Sequence, residues 1–466
     1  MRKLAFSLFS ASLLWGGNVD IPLDSPIYAQ LERLKSIGAI KVALPIMKPF
    51  NTKEVKALLG SIENPLALEV KRALIQELGR YVRAGIVEAN IGAACADKET
   101  AVPNAQGRVL KDGANADASV RMQMVNRKIG LVFTPEFRDN ASDSGGRIGD
   151  TYLRIPWKNM NVTLGREALW MGAGREGTLL LSSNAKSLDM IRLSSLRPFR
   201  FHPYRHNILN KIFGAMDIDF FVSRLHRYGT IVKEDGTIHS GYPKLMGMQF
   251  TFRPWNLFSI GLYRTAMFGG GGRDQGFGTF AKALFPFGQE ENTGTPNEPG
   301  DQKGGFNIEW YVPNTIQPLK IYGEWAGEDS AGNLPSRHSY IYGILLSDTA
   351  GMEGLQIGYE HLQMDEDHRD YWYHHHIYRD GYTNDGMIMG HYNGANGSRD
   401  ILRMKYLKSI QSDYTLAWEH FSDREEDSDT LRFGVRYRAQ NSVEYSVDGS
   451  VGEDASWLGA KVKWIF

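Results

Sequence analysis

The residue types best suited to chemistry are concentrated between Met364 and Asp400, above all in Asp365-Glu-Asp-His-Arg-Asp-Tyr-Trp-Tyr-His-His-His-Ile-Tyr-Arg-Asp-Gly-Tyr382. The stretch is too long and irregular for a turn, and loops beyond about 15 residues are usually functional or disordered. Disordered segments are poor in aromatics. This one carries Tyr371, Trp372, Tyr373, Tyr378, Tyr382 and Tyr392, so it is expected to be folded. His374, His375 and His376 invite a metal reading. Consecutive residues of an extended chain point to opposite sides, so three adjacent histidines do not converge on one ion, and no acid–His zinc spacing is present. No metal and no cofactor are expected.

A sugar-binding surface suits the composition better. Aromatic faces pack on the C–H faces of pyranose rings, and Asp, Arg and His hydrogen-bond hydroxyls in fixed directions. The residues nominated for it are Tyr371, Trp372, Tyr373, His375, His376, Tyr378, Asp380 and Tyr382, with Arg273, Glu328 and Asp329 as additions from neighbouring segments. The competing reading is a structural loop that plugs a mouth. Arg273 ends a Phe268-Gly-Gly-Gly-Gly-Arg273 run that lacks the Lys-Ser/Thr ending of a nucleotide loop. Glu328 and Asp329 are adjacent carboxylates, formally able to do acid/base work. No serine sits in a G-x-S-x-G elbow, and nothing positive supports catalysis.

The elements that must position these residues follow from composition and periodicity. The 466 residues hold 53 Lys+Arg against 53 Asp+Glu, 50 glycines and a single cysteine, Cys95. Charge balance argues against a nucleic-acid partner. One cysteine excludes an internal disulfide. Mean hydropathy is −0.35, and no apolar run of about 20 residues exists, which excludes a helical membrane protein. A membrane barrel survives that test, because its strands alternate and average out as polar.

Residues 1–17 read as a signal peptide, with Arg2 and Lys3 before an apolar stretch and cleavage as late as Ala29. Residues 18–91 read as helical. Ser25 caps a helix with Pro26 in its first turn, Asn51 and Glu54 resemble a capping box, and a third helix opens at Asn64-Pro65. Residues 92–119 are small and polar and read as a linker. From residue 120 to 466 the period is two. Met246, Met248, Phe250 and Phe252 alternate with Gly247, Gln249, Thr251 and Arg253, and Leu431, Phe433, Val435 and Tyr437 alternate with Arg432, Gly434, Arg436 and Arg438. Trp255, Trp310, Trp325 and Trp418 lie in or beside such runs, as interfacial girdles require. The last strand sets Leu458, Ala460, Val462, Trp464 and Phe466 against Lys461 and Lys463. The fold class expected is an all-β transmembrane barrel of about 16 to 20 antiparallel strands with a small N-terminal α-helical bundle.

Several segments together resemble the Wzi capsule-assembly family of Gram-negative outer-membrane proteins. They are Tyr28–Ile40, Val162–Arg166 with Leu169-Trp-Met-Gly-Ala-Gly174, Tyr263-Arg264, the Phe268–Arg273 glycine run, Tyr322–Asp329 and Tyr373–Tyr382. Met171 and Ala173 stand where the family carries a second Trp and a Pro. The resemblance implies an 18-stranded outer-membrane barrel with a periplasmic helical bundle and extracellular loops. It also implies a non-enzymatic, lectin-like role: binding exported capsular polysaccharide or exopolysaccharide and attaching it to the cell surface. Outer-membrane lipid and lipopolysaccharide are then further partners, capsule-export machinery is a candidate partner, and a monomer is expected. The alternatives are a porin for small solutes, with Arg432, Arg436 and Arg438 in its lumen, and an outer-membrane hydrolase using Glu328, Asp329 or the histidines.

Overall fold

The computed structural model describes residues 18–466, apart from 127, 143, 201–207, 227–228, 234, 285–299, 315, 329, 332–333, 336, 365–371 and 440–441. The expected signal peptide and the nominated Tyr371 and Asp329 lie outside the described residues.

Twenty strand segments form one antiparallel sheet that closes on itself where Gly85–Ala96 pairs with Trp457–Ile465. Two of its strands are each broken by an irregularity. Gly130–Phe133 and Pro135–Asp139 both pair with Gly113–Val125, while Ser144–Ile148 and Thr151–Trp157 pair with those two halves in turn. The barrel therefore has 18 strands. Closure leaves no sheet edge for lipid to leave unpaired.

The period-two pattern separates the two faces. Leu262, Leu402, Leu431 and Val435 point outward and are exposed. Inward stand buried charges such as Arg154, Lys303, Lys320 and Glu309. Trp157, Trp255, Trp310, Tyr437 and Tyr445 ring the outer wall at the end with short turns, and Trp325, Tyr340, Tyr359 and Trp418 ring it towards the end with long loops. An apolar band between two aromatic girdles is the wall of a membrane barrel.

The barrel begins at Gly85, inside the segment expected to be bundle and linker. Only residues 97–112 form a loop there, and Gly113–Val125 is already a strand. Alternation is weak in these strands because their outward positions hold small residues such as Ala93 and Cys95, and their inward ones Asn90, Gly92 and Ala94.

Among the described residues three α-helices precede the barrel: α1 (Ile27–Ser36), α2 (Thr52–Gly60) and α3 (Leu68–Arg80). The Ser25 hydroxyl accepts the Ile27 N–H at 3.4 Å, and Asn51 Oδ1 accepts the Glu54 N–H at 2.9 Å. Their apolar stripes, Leu31, Leu34, Val55, Leu58, Leu74 and Leu78, pack into one core with Val132, Tyr152 and Tyr311 of the barrel wall. Charged contacts complete the docking at the short-turn mouth: Arg33 to Asp348 at 2.6 Å, Glu32 to Lys320 at 2.8 Å and Glu77 to Arg438 at 2.7 Å. Two further helices, α4 (Ile208–Phe213) and α5 (Phe277–Leu284), interrupt the barrel sequence.

Candidate functional site

The histidine–aromatic segment folds into the long-loop mouth and is anchored from several sides. Trp372 Nε1 donates to the Arg337 carbonyl at 2.8 Å. The Tyr373 hydroxyl donates to the Leu179 carbonyl at 2.7 Å and accepts the His391 N–H at 2.9 Å. Tyr378 donates to the Gly269 carbonyl at 3.1 Å, and Tyr382 donates to Thr265 Oγ1 at 2.9 Å. The rings of Tyr373 and Tyr382 stack at 5.8 Å, with Lys303 Nζ 4.5 Å from the centre of the second. A Cβ at Gly390 would lie 2.1 Å from the Tyr373 oxygen, so only glycine admits this hydroxyl.

Trp372, Tyr373, Tyr378 and Tyr382 are therefore core residues of the mouth, with their faces covered by protein. The segment offers solvent a different set: His374, His376, Arg379 and Asp380 are exposed and His375 is half-buried, its ring stacked on His376 at 4.5 Å. Asp380 also accepts the Thr230 N–H at 3.0 Å, which holds it at the rim. Arg273 is buried and donates to the Val232 carbonyl at 3.0 Å, tying the glycine run to the neighbouring hairpin. Glu328 is buried as well, accepting the Tyr373 N–H at 3.2 Å and facing Lys303 at 3.4 Å. The structure thus brings Glu328, Tyr373 and Tyr382 together around Lys303, and it leaves Arg273 apart from them.

A second inserted segment, 168–187, crosses the lumen beneath the first and was not nominated for a site. Two carboxylates of the barrel wall hold its backbone. Glu324 accepts the Gly174 N–H at 2.7 Å, the Leu179 N–H at 3.1 Å and the Tyr263 hydroxyl at 3.1 Å. Glu360 accepts the Arg175 and Glu176 N–H groups at 2.8 and 3.2 Å and the Tyr322 hydroxyl at 2.9 Å. Their sequence signal is slight: one acid on the polar face of each of two alternating strands. Glu176 in turn pairs with Arg403 and, at 3.3 Å, with Arg432. Burial, with Arg399 and Arg432 nearby, holds the His391 imidazole well below the usual histidine range, so this plug histidine is neutral. Behind the plug lies a chamber of about 540 Å³, whose walls include Lys48, Asn90, Arg121, Trp170 and Glu176. Among the described residues, no three His, Cys, Asp or Glu side chains are grouped to hold a metal ion.

The arrangement is a barrel with the helical bundle packed into one mouth and two inserted segments packed into the other, with a polar rim outside. The comparisons with known proteins agree with that architecture. A Klebsiella pneumoniae protein described as an uncharacterized 55.8 kDa protein in the cps region is 28% identical over 197 residues, 41% of this chain and 35% of that protein's own length. The solved structure of Wzi from Escherichia coli, described as an outer membrane protein involved in group 1 capsule assembly and a carbohydrate binding β-barrel, superposes with a TM-score of 0.79. It has 17% identity, and the match covers 97% of this chain and 99% of that one. The profile of the family described as capsule assembly protein Wzi matches residues 83–460, from two residues before the first barrel strand into the last, and the chain belongs to that family.

Proposed function

We propose that this protein lies in the outer membrane with its long loops outside and its helical bundle in the periplasm, and that it binds exported capsular polysaccharide at the long-loop rim. It holds the polymer at the cell surface and carries out no chemical step on it. The observation that carries this reading is the occupied lumen: Glu324 and Glu360 seat one inserted segment, and Tyr373, Tyr378 and Tyr382 seat the other. A free diffusion channel has no use for such packing, whereas a binder gains from a preorganised surface. Connections mostly short at the bundle end and mostly longer at the other are the usual orientation of such barrels.

The surface has two layers. His375, His376 and Asp380, with their neighbours His374 and Arg379, contact sugar hydroxyls and acidic groups. Trp372, Tyr373, Tyr378 and Tyr382 position them from below, with Arg273 and Glu328 in support. Cells carrying a His376→Ala, Arg379→Ala, Asp380→Ala triple variant should shed labelled capsule into the medium while the purified barrel stays heat-resistant on gels. Undiminished retention would remove the rim from the binding surface. Polymer incubated with pure protein should keep its chain length, and shortening would turn the reading towards a hydrolase.

A further inference from the structure

On the outer wall near the long-loop end, the strands Ala215–Arg224, Lys244–Trp255 and Phe258–Phe268 present Phe220, Val222, Met246, Ala266 and Phe268. Helix α5 lies against these residues through Phe280, Ala283 and Leu284, outside the barrel. The Phe280 ring is 6.3 Å from Phe220 and 6.2 Å from Phe268, and Arg264 donates to the Ala283 carbonyl at 3.2 Å, fixing the helix's last turn. Phe277, at the other end of the helix, is 83% exposed. A short helix with one aromatic face on the wall and another phenylalanine exposed beside it is placed as interfacial helices are, at the boundary of headgroups and acyl chains.

Two outward-facing cations sit at the same level. Arg224 and Lys244 are directly opposite in antiparallel register and both face outward. Like charges so placed repel. Neither side chain makes an ion pair with a carboxylate or a hydrogen bond among the described residues. The Arg224 guanidinium lies over the Tyr242 ring, 4.0 Å from its centre. The nearest acid in register, Asp189, is already shared by Arg166 at 2.8 Å and His226 at 2.7 Å.

We propose that this sector binds a phosphorylated, multiply acylated glycolipid of the outer leaflet. Its sugar-linked phosphate takes the place of the missing carboxylate between Arg224 and Lys244, and its acyl chains run past Phe277 and the apolar wall below. The guanidinium fork matches phosphate oxygens in pairs, and the stacked tyrosine spares it the entropy of finding that geometry. This site rests on the membrane orientation of the reading above and not on its carbohydrate binding.

Full-length protein in detergent, titrated with bisphosphorylated lipid A and followed by native mass spectrometry, tests it. Binding should saturate, weaken at least tenfold with lipid A stripped of both phosphates, and exceed that of phosphatidylglycerol. An Arg224→Gln, Lys244→Gln double variant should lose the preference, and Lys158→Gln, at the short-turn end, should keep it. Equal binding of phosphorylated and stripped lipid, or of phosphatidylglycerol, overturns the site, and so does an unaltered double variant. The lipid comparison uses the unaltered protein, so it decides even if the variant misfolds. Capsule binding by the same samples separates failure of this site from failure of the proposed function.

Discussion

Tyr373 shows how one hydroxyl joins the two inserted segments. Its oxygen donates to Leu179 of one and accepts the N–H of His391 at the end of the other, in a site closed to solvent. Tyr373→Phe leaves a buried carbonyl and a buried N–H without a partner, a cost of about 1–3 kcal/mol for each group left unpaired. Because the barrel's own ladders are untouched, the loss should appear locally. Protease should cut the 372–391 segment of the variant faster than that of the wild type, with heat resistance of the barrel unchanged, and equal cutting would mean the hydroxyl does not hold the segment. The stretch containing Tyr373 stood out in the sequence by residue type alone. Which way each ring faces was not legible, since an irregular loop has no period to read. The partners that bury the rings lie far along the chain, Leu179 for Tyr373 and Gly269 for Tyr378.

At the scale of elements, α2 carries a charge in an unfavourable place. Glu54 is held at the barrel mouth beside Arg253, 3.1 Å away, and Arg253 also pairs with Asp217. Burial, only partly offset by Arg253 and reinforced by Asp217, pushes the Glu54 carboxyl up to about 7 from its ordinary 4.5. A group that binds its proton more tightly when docked than when free favours docking at low pH. That contribution is complete below about pH 4.5 and fades as pH rises to about 7. Amides of α2 should therefore exchange more slowly at pH 5 than at pH 8, after correction for intrinsic rates. Glu54→Gln, which is neutral throughout, should flatten the difference, and a profile that stays steep would assign it to another group. The cap that starts α2 was legible, because Asn51 and its target lie three residues apart. The two outward girdles were legible for a similar reason, a strict period of two. The first barrel strands were not: alanine, glycine and asparagine give almost no contrast between lipid and lumen faces, so Gly85–Ala96 read partly as linker.

For the whole molecule, the question is what an 18-stranded closed sheet encloses. A barrel of this size is wide enough for an aqueous channel when nothing fills it. Here the bundle packs into one mouth and the inserted segments into the other, leaving a chamber of about 540 Å³ lined by acids and bases alike. The seal of the inner segment depends on few groups. Glu324 and Glu360 between them accept four backbone N–H groups from residues 174–179, and among the described residues those donors make no other hydrogen bond. Single wild-type molecules in a planar bilayer should therefore be almost silent. A Glu324→Ala, Glu360→Ala double variant should show frequent, noisy openings, since the wall survives while the plug loses its seat. Large, steady currents from the wild type would instead mean that the packed segments are not a barrier, and the case for a surface binder over a pore would fall with them.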